Sequence, residues 1–332
     1  MTTAFESKVL DDVCTEAHNE KVAESMTWSQ YMDRMHWRNV LQLAFFHAGF
    51  FASLIMYGFG LHSVPVKWWT LVWMVAVGYI TGLGITAGAH RLWTHRAYKA
   101  NLSLRILLMI MYSAVGMNNI FAWVRDHRVH HKYSETDADP HNARRGFFFA
   151  HVGWLMQRRH PEYLRRAREI NMTDLIADPV VMFNKKYTTE LKVILAFIIP
   201  TAIPVIFWGE TILHAVLTQC FMRYLVVQHF VWCVNSIAHL WGSRPYNKLI
   251  NPAENLLVSF ISGGEGSHNY HHTFPWDYKA AEMPYLNFNS TTLFIHAMAK
   301  LGWAYDLREP SPELVEKVIQ RIGYKSAMNA DY

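Results

Sequence analysis

The chain is poor in cysteine and in charge, and each shortage excludes something. Cys14, Cys220 and Cys233 are odd in number and far apart, so neither a disulfide framework nor a CxxC site can be built from them. The polar parts are therefore expected in a reducing compartment. Charged residues make up 17% of the 332 residues and hydrophobic residues 52%, a balance that excludes a disordered chain. No glycine-rich flavin or nicotinamide fingerprint occurs. No nucleic-acid motif accompanies the net charge of +5, so nucleic acid is not an expected partner. Residues 1–37 hold no short apolar run behind a basic start, so no cleaved signal peptide is expected. There is no internal repeat and no low-complexity tract.

What is there is apolar sequence in long runs, separated by strongly polar blocks. Four runs reach the ~20 residues that cross a bilayer: about 40–61, 68–88, 192–208 and 211–234. The turns at 62–67 and 209–210 are short, which pairs the runs into two hairpins. Pro200 and Pro204 interrupt the third run, and neighbouring helices must satisfy the carbonyls they free. A fifth stretch, 104–117, is short and contains Arg105, so it reads as an in-plane or core segment. Between runs two and three lies a basic block that includes Arg96, Lys99, Arg128, Lys132, Arg144, Arg145, Arg165, Arg166, Arg168, Lys185 and Lys186. Positive charge stays in the cytosol, which places that loop and both termini there. Residues 28–37 could form an interfacial helix through Trp28, Tyr31 and Trp37. The domain reading is a polar N-terminal segment at 1–37, a membrane domain at 38–310 and a cytosolic tail at 311–332. In the tail, Ser311 caps and Pro312 opens a helix with Leu314, Val315, Val318, Ile319 and Ile322 on one face.

Nine of the 19 histidines fall in four clusters. They are His90 with His95, then His127, His130 and His131, then His239 behind Asn235, then His268, His271 and His272. Residues at i, i+3 and i+4 share a helix face, so each HxxHH points three imidazoles one way. Asn235 and His239 also share a face. His90 and His95 are five apart and fit a helix end better than a regular helix. Nine imidazoles exceed one metal's needs and suit two, with four or five ligands each. Imidazole takes zinc, copper, iron or nickel. A set rich in nitrogen and poor in carboxylate differs from the soluble di-iron bundles. If 104–117 crossed the membrane, the first two clusters would lie on opposite sides and could not share a site.

HRLWTH, HRVHH, NSIAH and HNYHH resemble the histidine boxes of the membrane-bound acyl-CoA desaturases, the stearoyl-CoA desaturase family. So do GITAGAHRLWTHR, RDHRVHHKYSETDADPHNARRGFFFAHVGW and GEGSHNYHHTFPWDY, and the likeness runs from about residue 35 to 310. INPAENLLVSF looks like the insect branch. The resemblance implies an all-α integral membrane protein of the endoplasmic reticulum, with four transmembrane helices and a cytosolic helical cap holding a di-iron centre. It implies that all nine box histidines bind two iron ions and that Asn235 holds one of them through water.

The implied reaction inserts a cis double bond into a saturated fatty acyl-CoA, using O2 and two electrons. The resemblance suggests Asn118, Arg125 and Asp126 near the CoA end, Arg158 and Arg159 for its phosphates, and Trp123 and Trp232 along the acyl channel. Arginine's planar fork suits phosphate. The chain has no HPGG motif of a fused haem domain, so the resemblance implies separate cytochrome b5 and its NADH-dependent reductase, with membrane lipid around the enzyme. Δ9 is the default product, and Δ11 or another position, or hydroxylation of a lipid, are alternatives. A metal transporter is a remote one. Trp73, Met74, Val77 and Gly78 are a sensible tunnel floor.

Overall fold

The computed structural model describes residues 32–61, 64–283 and 288–324. Cys14, Trp28 and Tyr31, and with them most of the proposed interfacial helix, lie outside the described residues. Three helices are long and apolar enough to cross a membrane: α1 (Trp37–Gly58), α2 (Trp68–Thr94) and α7 (Thr188–Trp208). Between α2 and α7 lie β1 (Lys99–Ala100), α3 (Leu102–Ser113), α4 (Ile120–Lys132), α5 (Pro161–Glu169) and α6 (Pro179–Lys186). After α7 come α8 (residues 212–240), α9 (Leu256–Ser262), α10 (His268–Thr273), α11 (Ser290–Lys300), β2 (Ala304–Tyr305) and α12 (Pro312–Ile322). The two strands form one short antiparallel pair.

Leu41, Phe45, Phe51 and Phe59 point outward, and only Ser53 of α1 is buried. Large apolar side chains displayed so widely need hydrocarbon around them. Helix α8 is different. It is long enough to span, but Gln219, Arg223 and Gln228 lie buried along it. It runs through the centre, against α1, α2 and α7, so its polar groups are spent inside the protein. The fourth apolar run is thus the bundle's axis, and it is the least purely hydrophobic of the four.

Two boundaries differ from the sequence reading. Helix α2 does not stop near residue 88. From Gly84 to Thr94 it continues as a π-helix. Helix α8 likewise runs on through Asn235 and His239. Two histidine clusters are therefore the last turns of long helices, where the sequence reading places them beyond the spans. The tight packing of α3 on α2 depends on Gly84, since a Cβ there would lie 2.3 Å from the Tyr112 backbone nitrogen. Helix α3 begins where Asn101 accepts the Leu104 N–H. It buries Leu104, Leu108 and Tyr112 and leaves Leu102, Ile106 and Ile110 exposed, an apolar stripe at helical spacing on its outer face.

The prolines of α7 are compensated from neighbouring helices. Pro200 has no N–H to give the Ala196 carbonyl one turn earlier, and the Arg223 guanidinium bonds that carbonyl. Pro204 deprives the Pro200 carbonyl in the same way, and Trp73 Nε1 donates to it at 3.0 Å. At the far end, Glu210 joins the two short turns. It accepts the Lys67 N–H at 2.9 Å and the Thr70 hydroxyl at 2.6 Å. Lys67 Nζ answers by capping the carbonyls of Trp208 and Gly209.

Removing one partner of a buried hydrogen bond costs about 1–3 kcal/mol. Trp73→Phe is expected to lower the melting temperature of the detergent-solubilised protein by leaving the Pro200 carbonyl unpaired. Pro204→Ala restores an N–H beneath that carbonyl, so the double variant should recover part of the loss. Additive losses in the double variant would show that Trp73 acts by packing alone.

Candidate metal centre

Four elements bring nine imidazoles together. In the π segment of α2, hydrogen bonds run from residue i to i+5, and the His95 N–H bonds the His90 carbonyl at 3.1 Å. The wider turn puts residues five apart on one face. Their spacing, awkward for an α-helix, is right for this backbone. Helix α4 is capped by Asn119, which accepts the Ala122 N–H, and it presents His127, His130 and His131. Helix α8 contributes His239 and, one turn earlier, Asn235. Helix α10 contributes His268, His271 and His272.

The rings sort into two groups, each with its ligand atoms within 4.8 Å of one another. One holds His90, His95, His127, His131 and His271. The other holds His130, His239, His268 and His272. Each HxxHH motif is divided between them. Its i, i+4 pair serves one group and its third histidine serves the other.

The Nε2 atoms face each other: His90 to His271 at 2.9 Å, His131 to His271 at 3.1 Å, His239 to His268 at 2.9 Å and His268 to His272 at 3.2 Å. Two nitrogens bound at right angles to one metal, each at about 2.1 Å, stand about 3 Å apart. The Nε2 atoms of His95 and His127 are buried with no hydrogen-bond partner. Converging lone pairs at coordination-edge spacing fit two metal ions. Burial, reinforced by neighbouring imidazoles, holds His127, His131, His268, His271 and His272 well below the ordinary histidine value. The rings are therefore neutral near pH 7, which is the ligand form.

Carboxylates stand one bond further out. Glu265 meets His90 Nδ1 at 2.7 Å, Glu135 meets His239 Nδ1 at 2.7 Å and Asp139 meets His130 Nδ1 at 3.0 Å. Each accepts a hydrogen bond from Nδ1–H and so fixes the Nε2 lone pair inward. Burial raises the Glu265 carboxyl, but Arg91 and His90 outweigh it and hold it at about 2. Burial also raises Asp139, and His130 and His141 overcome it. His141 groups with His130 and Asp139. Sequence reasoning assigns none of these four a role. The available signal was acidic residues a few positions from a box, in SETDADPH and GEGSH.

Among the described residues, a larger and a smaller cavity reach the imidazoles. The larger, about 550 Å³, runs along α2 and α8, with Met74, Gly78, Val227 and Val231 in its walls and His90, His127 and His268 at one end. Of the proposed tunnel floor, Met74 and Gly78 line it. Trp73 turns away to the Pro200 carbonyl, and Val77 is buried outside the lining. The smaller, about 170 Å³, gathers Asn118, Trp123, Asp126, Trp232, Asn235 and His141. Trp123 and Asn235 border both cavities, and Trp123 lies nearly parallel to His127 at 4.9 Å. Asp126 bonds Arg159 and Tyr163. Arg159 lies over the rings of Trp154 and Tyr163. Arg125 sits 3.6 Å from Asp126. Arg158 is exposed and borders neither cavity.

Residues 66–307 match the family described as fatty acid desaturase. The chain is 48% identical to the acyl-CoA Delta-9 desaturase of Acheta domesticus over 293 residues, 88% of this chain and 80% of that one. It is 48% identical to the stearoyl-CoA desaturase of Homo sapiens over 294 residues, 87% and 80% of the two chains. It is 49% identical to the acyl-CoA Delta(11) desaturase of Trichoplusia ni over 268 residues, 81% and 76% of the two chains.

Losing a carboxylate behind a ligand histidine typically weakens metal binding roughly 10- to 100-fold. Glu135→Gln is expected to do so, read as faster metal loss to a chelator, and retention equal to the parent protein would contradict the role. The metal-free protein should also be acid-sensitive. The unfolded chain protonates these histidines below about pH 6.5, whereas the folded chain keeps them neutral. The unfolded state then binds more protons, so stability falls as pH drops below that point and is unaffected above it. Denaturation midpoints that stay level from about pH 7.5 to about pH 5 would refute this.

Proposed function

The chain belongs to the fatty acid desaturase family, and from that premise we propose that it is an acyl-CoA desaturase that inserts a cis double bond into a saturated fatty acyl-CoA. The observation that carries the reading is the pair of imidazole groups, five and four rings, set at one end of an apolar cavity. The overall change converts the acyl-CoA, O2, two electrons and two protons into the monoene and two waters. An unactivated methylene has no acidic hydrogen, so no acid–base group can begin this reaction. Two iron ions, when bound by the nine histidines, supply the oxidising chemistry.

The protein's own residues bind, orient and exclude water. The acyl chain lies in the larger cavity with its reacting methylenes at the His90 and His127 end. Dry apolar walls keep water from that end. Trp123, packed on His127, and the buried Trp232 flank the chain where the cavities meet. Asp126, held by Arg159 and Tyr163, and Asn118 receive the thioester end. Arg125 lies near the CoA end, and Arg159 with the exposed Arg158 takes the CoA phosphates. Asn235 offers its amide to a water beside the four-histidine group.

In this reading α8 is the fourth transmembrane helix, and α4, α5 and α9 to α12 form a cytosolic cap in the endoplasmic reticulum membrane, with both termini on that side. The basic face there suits an acidic electron carrier, cytochrome b5 with its reductase. Similar identity to Delta-9 and Delta(11) relatives leaves Δ9 as the default position.

Expression in a desaturase-deficient yeast is expected to restore growth without added unsaturated fatty acid, and mass spectrometry should locate a cis Δ9 bond. His271→Ala and His272→Ala should each abolish the product while the protein still inserts. Hydroxylated lipid in place of a monoene would overturn the reading.

A further inference from the structure

Among the described residues, the larger cavity is not closed by protein along its whole length. Its floor is made by Gly78, Gly82 and Met74 of α2 and by Met222, Val227 and Val231 of α8. Its rim is made by Val75, Tyr79 and Phe230, which are 66%, 52% and 37% exposed. Val75 and Tyr79 continue the outward apolar face of α2 that also carries Leu71, Val72 and Ile80. The same cavity therefore touches His90, His127 and His268 at one end and the outer face of a helix long and apolar enough to span a membrane at the other.

Gly78 and Gly82 are one turn apart, a spacing that usually lets two helices close together. Here the helices meet at Gly78, where a Cβ would make ordinary contact with Val227 and Arg223, but not at Gly82, where a Cβ would meet no described residue within 4 Å. The missing side chains leave an open slot between α2 and α8. Above the slot, Phe260 of α9 and Phe288 meet edge to face at 5.4 Å. Both border the cavity and both are exposed, at 65% and 56%. With Leu256 and Leu257 they extend the apolar outer surface past the helix ends.

We propose that this slot is a lateral portal through which an acyl tail passes between the metal centre and the hydrocarbon of the bilayer. The inference rests on the acyl-chain reading of the cavity. Its physical basis is continuity. A tail leaving sideways stays in mainly apolar surroundings, since Arg223 beside the slot turns its guanidinium to the Ala196 carbonyl, whereas withdrawal toward the aqueous side exposes each methylene to water in turn, at a cost that grows with chain length. The occupant of the slot in the absence of substrate is then the tail of a bilayer phospholipid.

The test reconstitutes the full-length, iron-loaded protein in phosphatidylcholine vesicles in which a fraction of the lipid carries a diazirine midway along one tail. After irradiation, adducts are mapped by mass spectrometry, with and without saturating stearoyl-CoA, whose binding is measured separately. An open portal gives adducts on Met74 and Met222 within the slot as well as on Leu71 and Val72 outside it. Stearoyl-CoA should cut the slot adducts at least severalfold and leave the outer ones. Adducts on Leu71 and Val72 alone would overturn the portal. So would slot adducts that persist when stearoyl-CoA is bound. Failure of stearoyl-CoA to bind at all would instead overturn the acyl-CoA reading, while slot adducts would still support an opening to the bilayer.

Discussion

Nine imidazoles must be kept neutral, buried and aimed with one nitrogen inward, and much of the architecture answers to that demand. A histidine ring has two nitrogens and two tautomers, and burial alone selects neither. Glu135, Asp139 and Glu265 make the selection for His239, His130 and His90 by accepting a hydrogen bond from Nδ1–H. Those carboxylates are buried charges and need partners of their own. Arg91 binds Glu265 and is anchored in turn by the Tyr278 carbonyl, Thr292 and Asn289. The shell around the centre is thus a chain of compensated polar groups, which explains why so many charged side chains are buried in a protein with so few of them.

The same accounting governs the apolar bundle. Pro200 and Pro204 release two carbonyls in a region without water, and Arg223 and Trp73 reach across from α8 and α2 to meet them. Polar residues in α8 weaken it as an isolated hydrophobic segment. They are what lets α7 keep its prolines. One helix's irregularity is the reason for another's polarity.

Much of the site was legible in the sequence, because HxxHH is a statement about helix geometry and needs no tertiary knowledge. The division of each motif between two groups was not legible, since it depends on how α4, α8 and α10 meet. The π segment left a trace, the five-residue step from His90 to His95, but the step fits a helix end equally well. The supporting carboxylates were hidden for another reason. Glu135 and Asp139 sit in an irregular loop, where no periodicity says which way a side chain points. Three of the four apolar runs fall on helices long and apolar enough to span, and the fourth falls on α8. Hydropathy reports where lipid contact stops, whereas α2 and α8 continue into the protein interior.

Helix α12 packs Val315 and Ile319 against Tyr270 and Phe274, and so braces the six-residue α10 that carries three of the imidazoles. A helix so short has little stability of its own. Its support lies later in the chain than every residue it supports. During synthesis the ligands emerge before their brace, as domains form from the N-terminal side onward. Membrane insertion and metal loading are therefore separated in time. The helices can be threaded into the bilayer while the centre is still unfinished, and a metal ion meets a site that closes only after the last of the nine histidines has been translated.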